Sequence, residues 1–147
     1  MKIDQIALHV PDPDKFIAAF PLPGDWVADR VVAEGSVTKY MGDIRNVAEL
    51  RFWYGFGIEF EVLTYVDGPN WHQAADRHGT FLSHFGMHVD SVQDCDDLIN
   101  RFGVLQWVTT VEHTNRILVA QERQYQYVIL DTRELLGAEL KLIEKIG

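Results

Sequence analysis

Eight polar side chains recur at alternate positions within segments that are otherwise apolar. They are Gln5, His9, Glu59, Glu61, His84, His88, Glu139 and Lys141. Because successive side chains of a strand point to opposite faces, each of them falls on the face opposite to bulky apolar neighbours. Imidazole, carboxylate and amine groups on inner strand faces could hold a metal ion or move protons. The competing interpretation is that they satisfy one another across a wet cleft, because unpartnered polar groups are costly to bury. For the set as a whole we favour the functional interpretation.

The elements that would position these residues form an internal repeat. Residues 5–10 (QIALHV) match residues 84–89 (HFGMHV), and residues 57–63 (GIEFEVL) match residues 137–143 (GAELKLI). The two offsets, 79 and 80 positions, nearly coincide, which favours duplication over two generic strands with the same alternation. We expect a single domain over 1–147, with module 1 at about 1–67, a linker at 68–81 and module 2 at about 82–147.

Local patterns give each module the order β-α-β-β-β. Helical spacing predicts a short helix through Phe16, Ile17 and Phe20 and a second one from Val92 to Phe102. Extended segments are predicted at 3–10, 26–33, 36–41, 47–54, 58–66, 82–89, 104–112, 124–130 and 137–145, with a linking helix at 70–78. One such module leaves a sheet face open. We therefore expect an α+β fold in which two βαβββ modules form an incomplete, curved eight-stranded barrel around a cleft, with the helices outside.

Composition restricts the class of protein. The chain has 147 residues, of which 47% are hydrophobic and 24% charged, as is ordinary for a globular domain. Its single cysteine, Cys95, excludes a disulfide framework and a thiolate zinc cluster, and no apolar run reaches the ~20 residues of a membrane span. A net charge of −9 opposes binding to nucleic-acid phosphates. We expect a soluble, cytoplasmic protein with neither nucleic acid nor membrane as a partner.

Four stretches of the sequence resemble the glyoxalase/bleomycin-resistance/dioxygenase proteins, the vicinal oxygen chelate superfamily. They are IDQIALHVPDPDKF, FEVLTYVDGPN, LSHFGMHVDSVQD and YVILDTRELLGAELKLIE. The second half is most similar to the branch that contains methylmalonyl-CoA epimerase. The resemblance covers nearly the whole chain and implies two βαβββ modules that form a cleft. It also implies a homodimer and a small-molecule ligand in the cleft between the modules.

The resemblance further implies metal ligands on the first and last strand of each module. By position these are Gln5, Glu61 and His84, with Lys141 where the family usually has a glutamate. A protonated lysine has no lone pair and repels a divalent cation. Three alternatives therefore stay open: Glu139 supplies the carboxylate, three protein ligands act together with water, or no metal binds. Nitrogen and oxygen ligands without a thiolate would suit Zn, Ni, Co, Mn or Fe. Gln5 and Lys141 also argue against ring-cleaving oxygen chemistry, for which the family uses two histidines and a glutamate.

The activity that the resemblance implies is that of a lyase or isomerase. It would transfer a proton next to a carbonyl, on a small oxo compound or an acyl thioester. A divalent metal would hold the substrate oxygen, and Glu61 or Glu139 would be the base. Without a metal, Lys141 could itself stabilise the enolate oxygen. The alternative is a non-catalytic protein that sequesters a small molecule in the same cleft, as bleomycin-resistance proteins do, and Lys141 at a metal position favours it.

Two further groups of residues have weaker functional interpretations. His9 and His88 lie four residues beyond the ligand positions, and we expect them to be structural or to line the substrate site. His113, Arg116 and Arg123 flank a loop that could meet an anionic substrate, although charges on loops are usually solvated.

Overall fold

Strands make up most of the computed structural model, which describes residues 2–38, 42–55, 57–68, 79–115 and 125–146. The strands are β1 (Gln5–His9), β2 (Val27–Thr38), β3 (Gly42–Gly55), β4 (Ile58–Asp67), β5 (Phe81–Val89), β6 (Val104–His113), β7 (Tyr125–Leu130) and β8 (Glu139–Lys145). The helices are α1 (Pro13–Ala19), α2 (Asp96–Phe102), which follows a 3-10 turn at Val92–Cys95, and the short α3 (Arg133–Leu136). The helix predicted at 70–78 lies outside the described residues, as do Arg116 and Arg123.

The eight strands form a closed barrel in the order β1-β4-β3-β2-β6-β7-β8-β5. Both halves of this ring have the same internal order, in which β1 pairs in parallel with β4 and β5 pairs in parallel with β8. The halves meet at two antiparallel seams, one between β1 and β5 and the other between β2 and β6. The order agrees with the repeat seen in the sequence, while the module boundaries near residues 67 and 82 stay a prediction.

Because the barrel is closed, the expectation of an incomplete barrel is wrong. The patterns within each half predict a curved sheet, but they do not say whether its outer strands pair with those of the other half. In the structure β2 and β6 pair from Val31 opposite His113 to Thr38 opposite Gln106. This pairing satisfies backbone groups that an open edge would expose. The segments predicted separately at 26–33 and 36–41 form a single strand as far as residue 38, with a register shift between Gly35 and Thr38.

The helix α2 lies outside the barrel, as predicted. Its residues Leu98, Ile99 and Phe102, together with Val92 and Cys95 of the preceding turn, pack against outward side chains of β7 and β8. Those side chains are Val128, Leu130, Leu140 and Leu142. Since alternate residues of a strand face opposite sides, this packing sends the intervening polar residues to the barrel interior.

The helix α1 covers the other half of the barrel in a similar way. Asp12 caps it by accepting hydrogen bonds from the backbone N–H groups of Asp14 and Lys15. Phe16 and Phe20 then contact Phe60 of β4. Within the described segments, no helix has both the length and the apolar character needed to cross a membrane.

Sequence patterns do not predict the short helix α3, which lies just before the last strand. It ends at Gly137, whose φ of 74° lies in the left-handed region that favours glycine. The strand predicted from residue 137 therefore begins at Glu139.

Candidate active site

The barrel encloses a cavity of about 450 Å³, a size typical of small-molecule sites. Seven of the eight polar residues singled out from the sequence line it, namely Gln5, Glu59, Glu61, His84, His88, Glu139 and Lys141. The exception is His9, whose Nδ1 lies 2.9 Å from the carbonyl oxygen of Gly79 and whose ring stacks on Phe81. His88 lies at an exposed part of the cavity wall, with its Nδ1 2.8 Å from a carboxylate oxygen of Asp4.

A chain of hydrogen bonds joins β5, β1 and β4 on one side of the cavity. Gln5 Nε2 donates to Glu59 Oε1 at 2.6 Å, and His84 Nε2 lies 2.9 Å from Gln5 Oε1. Because an amide oxygen only accepts, Nε2 of His84 is the donor. In the neutral ring Nδ1 then accepts from the Ser83 hydroxyl, which is 3.1 Å away. The chain therefore fixes both the tautomer and the orientation of His84.

Two backbone features make room for this chain of hydrogen bonds. The β1–β5 pairing shifts register so that Ala7 faces His84 while Leu8 faces Leu82. Ser83 is therefore the additional residue of a bulge, and it lines the cavity beside His84. At Gly86 a Cβ atom would lie 2.5 Å from Gln5 Oε1. The side chain of Gln5 thus occupies the space that any larger residue at position 86 would fill.

A buried carboxylate and a half-buried amine line the same cavity. Burial raises the pKa of Glu61 from 4.5 to about 7, against the opposing influence of the Lys141 charge. Burial also lowers the pKa of Lys141, and the charges of Glu61 and Glu59 oppose that change. The Lys141 Nζ lies 3.9 Å from the centre of the Tyr127 ring, a cation–π contact that stabilises the charged amine. The Glu61 carboxyl can therefore exchange a proton near neutral pH, and the charge of Lys141 acts on it.

Glu139, the other candidate base, has a different environment. It is 1% exposed, and its Oε1 lies 3.8 Å from Nε of Arg133. Arg133 also lies 3.6 Å from Asp131. Glu139 is therefore paired with Arg133 on the cavity wall.

Asp29 and His113 are functional candidates on the opposite side of the barrel. Their side chains meet across the β2–β6 seam, with His113 Nδ1 2.7 Å from Asp29 Oδ2. The other oxygen of Asp29 accepts from the backbone N–H groups of Thr114 and Asn115. Burial acts to raise the pKa of Asp29, but these hydrogen bonds outweigh it and hold that pKa below its ordinary value.

Sequence reasoning missed Asp29 and gave His113 only a loop role. A signal was present, because Asp29 alternates with Val27, Val31 and Ala33 in an apolar face of β2. Those three apolar residues line the cavity, so the acid between them also points inward. Tyr65 and Tyr127, which line the cavity too, were likewise missed. Burial and the negative charge of Glu61 raise the pKa of both phenols, which keeps them neutral hydrogen-bonding groups.

The amine of Lys141 at one of the implied ligand positions is unfavourable for a divalent metal. Gln5 Oε1 and His84 Nε2, two of the ligand positions implied by the resemblance, are hydrogen-bonded to each other. At the fourth position Lys141 already supplies a positive charge to Glu61, and Glu139 faces Arg133 instead of joining the set. The described residues contain no group of three or more His, Cys, Asp or Glu that could hold a metal ion. Binding of a metal by Gln5, Glu61 and His84 stays a prediction of the sequence, and no step is derived through it.

Comparison with known proteins gives nine matching chains of solved structures, and two of them are described below. No protein-family model matches the chain, and no curated protein is significantly similar to it. A crystal structure of selenomethionine methylmalonyl-CoA epimerase matches with a TM-score of 0.47 and 14% identity, over 99% of this chain and 95% of the other. A triple mutant of 4-hydroxymandelate synthase from Streptomyces coelicolor matches with a TM-score of 0.44 and 12% identity, over 98% of this chain and 62% of the other. At these values neither match assigns the chain to a family or to the epimerase branch.

Proposed function

We propose that the cavity binds a small carbonyl compound and transfers a proton at the carbon next to the carbonyl, as a lyase or isomerase does. Glu61 is the base and Lys141 stabilises the enolate oxygen. The observation that carries the proposal is that a buried carboxyl group, Glu61, and a half-buried amine, Lys141, line one cavity of about 450 Å³. Neither is needed to complete a hydrophobic core, and burying charged groups is costly.

The chemistry of the two groups is complementary. A carboxylate whose pKa is about 7 is a stronger base than an ordinary glutamate and is still partly ionised at neutral pH. When it removes the α-proton, the electrons of the C–H bond move into the enolate and negative charge develops on the carbonyl oxygen. The Lys141 ammonium stabilises that oxygen, because it lines the same cavity and charges there are screened less than in bulk water.

The cavity lining supports a small substrate with an apolar portion. Val31, Leu50, Phe52, Leu63 and Val108 contribute apolar walls, which suit an alkyl group or the carbon chain of a thioester. The carboxyl groups and the amine of the lining lie on β4 and β8, namely Glu59, Glu61, Glu139 and Lys141, and they fix where the carbonyl would lie. A small oxo compound or an acyl thioester satisfies both requirements.

Hydrogen exchange tests this proposal with simple carbonyl probes in place of a natural substrate. Purified protein is incubated in D₂O with four probes, and loss of the α-proton is followed by ¹H NMR. The probes are hydroxyacetone, pyruvate and the N-acetylcysteamine thioesters of propanoate and 2-methylbutanoate. We expect the wild type to accelerate exchange of at least one probe. Glu61→Gln should reduce that rate by about 100-fold or more, the usual contribution of a general base.

Glu139→Gln is the matched comparison, because it makes the same change at the carboxyl that faces Arg133. It should retain most of the exchange activity, provided that circular dichroism shows a folded protein. Absence of exchange with every probe would contradict the proposed activity, and so would full activity in Glu61→Gln.

The second candidate function is sequestration of a small molecule without catalysis. The cation–π contact of Lys141 with Tyr127 favours it, because a flat aromatic or anionic ligand could be held by the same pair. Binding of a probe with no accompanying exchange, measured by titration calorimetry on the same preparations, would support this function over the first.

A further inference from the structure

The cavity is open to solvent at one rim of the barrel. The strand directions bring the starts of β2 and β7 to the same rim as the ends of β3, β5 and β6. Two lining residues near those strand ends are well exposed, Tyr54 at 58% and the side chain of His88 at 44%. His113, the last residue of β6, and Tyr125, the first of β7, lie at this rim as well. A ligand that enters there passes both of them.

A row of side chains leads from this rim to the amine of Lys141. The ring centres of His113 and Tyr125 are 6.2 Å apart, and those of Tyr125 and Tyr127 are 6.4 Å apart. Lys141 Nζ then lies 3.9 Å from the centre of the Tyr127 ring. All four residues line the cavity, on the neighbouring strands β6, β7 and β8. A ligand whose carbonyl oxygen meets Lys141 therefore has His113 several atoms further along the same wall.

A buried carboxylate fixes which nitrogen of His113 can meet that ligand. The side chain of Asp29 is fully buried, and that of His113 is 12% exposed. The backbone N–H groups of Thr114 and Asn115 donate to Oδ1 of Asp29, and Nδ1 of His113 lies 2.7 Å from Oδ2. Because an ionised carboxylate only accepts, Nδ1 of His113 carries the proton. In the neutral ring Nε2 is then the acceptor, and it is the nitrogen left for a ligand.

The β2–β6 seam does not require this imidazole. The backbone N–H of Thr114 donates to the carbonyl oxygen of Arg30, and the backbone N–H of Arg30 donates to the Thr114 hydroxyl. Asn115 further donates to the carbonyl oxygen of Ala28. These contacts already join the end of β6 to β2. We therefore infer that an imidazole oriented on the cavity side of the seam serves a ligand.

The charges of the cavity favour a neutral group at His113 over an anion. The Asp29 carboxylate lies beside the ring, and the whole chain has a net charge of −9. Among the described residues, the amine of Lys141 lines the cavity together with three carboxyl groups, those of Glu59, Glu61 and Glu139. An excess of negative charge repels an anion, whereas a neutral N–H group can donate to Nε2.

We propose that His113 is a specificity-determining residue that accepts a hydrogen bond from an N–H group in the tail of the substrate. Asp29 is its positioning residue. The inference rests on the place of the carbonyl in the proposed function, and it names the substrate class. That class is an acyl thioester whose sulfur carries a chain with an amide N–H, in preference to a small oxo compound. Two carbons between sulfur and amide nitrogen place the donor several atoms from the carbonyl, as the row of side chains requires.

Two propanoyl thioesters that differ at a single position test the proposal. In the first the sulfur carries an N-acetylcysteamine chain. In the second an oxygen replaces the amide N–H, so the donor is lost and a lone pair faces Nε2. Titration calorimetry gives the ratio of the two dissociation constants for each protein, and the difference in hydration of the probes is common to all proteins. The ratio in the wild type should favour the amide by about 10-fold or more relative to His113→Phe.

Asp29→Asn tests the positioning role by changing the tautomer of His113. The backbone N–H groups of Thr114 and Asn115 need an oxygen where Oδ1 now lies, so the new NH₂ group faces Nδ1. Nδ1 then accepts and Nε2 carries the proton. The preference for the amide probe should disappear in this variant, whereas a merely structural role of Asp29 would leave the preference unchanged.

His9→Phe is the matched control, because it makes the same change at a histidine that does not line the cavity. It should keep the preference of the wild type. A folded His113→Phe protein with the wild-type preference would overturn the inference, and so would an Asp29→Asn protein that keeps it.

A measurement on the wild type alone covers the case in which the variants do not fold. In protein labelled with ¹⁵N-histidine, the amide probe should shift the unprotonated Nε2 resonance of a ring in the Nδ1–H tautomer, and the ester probe should not. Equal responses to the two probes would overturn the inference.

Failure of the inference and failure of the proposed function are distinguishable. If neither thioester binds but hydroxyacetone or pyruvate exchanges its α-proton, the inference is overturned and the proposed function stands. If no probe exchanges but the amide preference depends on His113, the proposed activity is contradicted and recognition by His113 is supported.

Discussion

The burial of Glu61 and Lys141 costs folding stability, and under the proposed function the same burial makes the two groups useful for proton transfer. Burial raises the pKa of Glu61 and lowers that of Lys141, which favours the neutral form of each group. The charge of each group partly opposes the shift in the other. A solvent-exposed pair would have ordinary pKa values and little reactivity. We infer that this arrangement trades stability for chemistry, as functional sites commonly do.

The first prediction at the scale of the residue concerns stability. Burial raises the pKa of Glu61 from 4.5 to about 7, so the folded protein retains a proton that the unfolded chain releases. The wild type therefore loses stability as the pH rises between these values. Glu61→Gln does not titrate, and its stability relative to the wild type should increase by up to about 3 kcal/mol between pH 5 and pH 8. Urea unfolding at both pH values measures this.

The control for that experiment is Glu134→Gln, which makes the same substitution at an exposed position. Its stability relative to the wild type should be nearly the same at both pH values. A stability difference for Glu61→Gln that does not change with pH would contradict the raised pKa.

The second prediction at this scale concerns Gly86. A Cβ atom there would lie 2.5 Å from Oε1 and 2.7 Å from Cβ of Gln5, so Gly86→Ala should displace Gln5 and cost about 1–3 kcal/mol of stability. Urea unfolding measures the loss. In the double variant with Gln5→Ala the outer clashing atoms are absent, so its loss should be smaller than the sum of the two single losses. A Gly86→Ala protein as stable as the wild type would contradict the close contact.

Strand alternation was sufficient to predict most of the polar lining. It placed Gln5, Glu61, His84 and Lys141 on inner faces, because each alternates with bulky apolar residues. It gave no account of Asp29, whose side chain pairs with His113, a residue 84 positions away. Which two side chains meet across a seam depends on strand pairing, and alternation within one strand does not contain that information.

At the scale of the element, the fold depends on the helices that cover the outward faces of the strands. Leu142 of β8 is fully buried under α2 and the turn before it. Leu142→Ala should therefore cost about 2–5 kcal/mol of stability. The matched control is Leu135→Ala, because Leu135 of α3 is 70% exposed, and surface substitutions of this kind change stability by about 0.5 kcal/mol or less. Equal losses in the two variants would contradict the packing of α2 against the barrel.

Helical spacing and alternation predicted the helices α1 and α2 and most strands, because these signals are local. The parts of the fold that they did not predict depend on distant contacts. Closure requires β2 to pair with β6, and each of these strands is an ordinary outer strand of its own half. The same contact joins the two segments predicted at 26–33 and 36–41 into a continuous strand.

At the scale of the whole molecule, closure of the barrel turns two polar sheet faces into one enclosed site. Three carboxyl groups line the interior, those of Glu59, Glu61 and Glu139. The charge of Lys141 acts on Glu61, and Arg133 lies 3.8 Å from Glu139. If this internal compensation replaces a metal, dialysis against EDTA should leave probe exchange unchanged within about twofold. Added Zn²⁺, Ni²⁺, Co²⁺, Mn²⁺ or Fe²⁺ should not increase it. Loss of exchange on chelation, restored by one of these ions, would instead support the ligand set Gln5, Glu61 and His84 predicted from the sequence.

The homodimer predicted from the family resemblance also belongs to this scale and stays a prediction. Sedimentation equilibrium tests it, because a homodimer has twice the chain mass of 16.9 kDa and a monomer would contradict the prediction.

The pH dependence of α-proton exchange tests the central claim most directly, since the claim is that one buried carboxyl in this cavity acts as the base. The exchange rate of the best probe is measured between pH 5 and pH 9 for the wild type and for Glu61→Gln. In the wild type the rate should rise with pH as a single group ionises with a pKa of about 7, and in the variant this rise should be absent. A wild-type rate that is flat over this range, or a rise that persists unchanged in Glu61→Gln, would contradict the account.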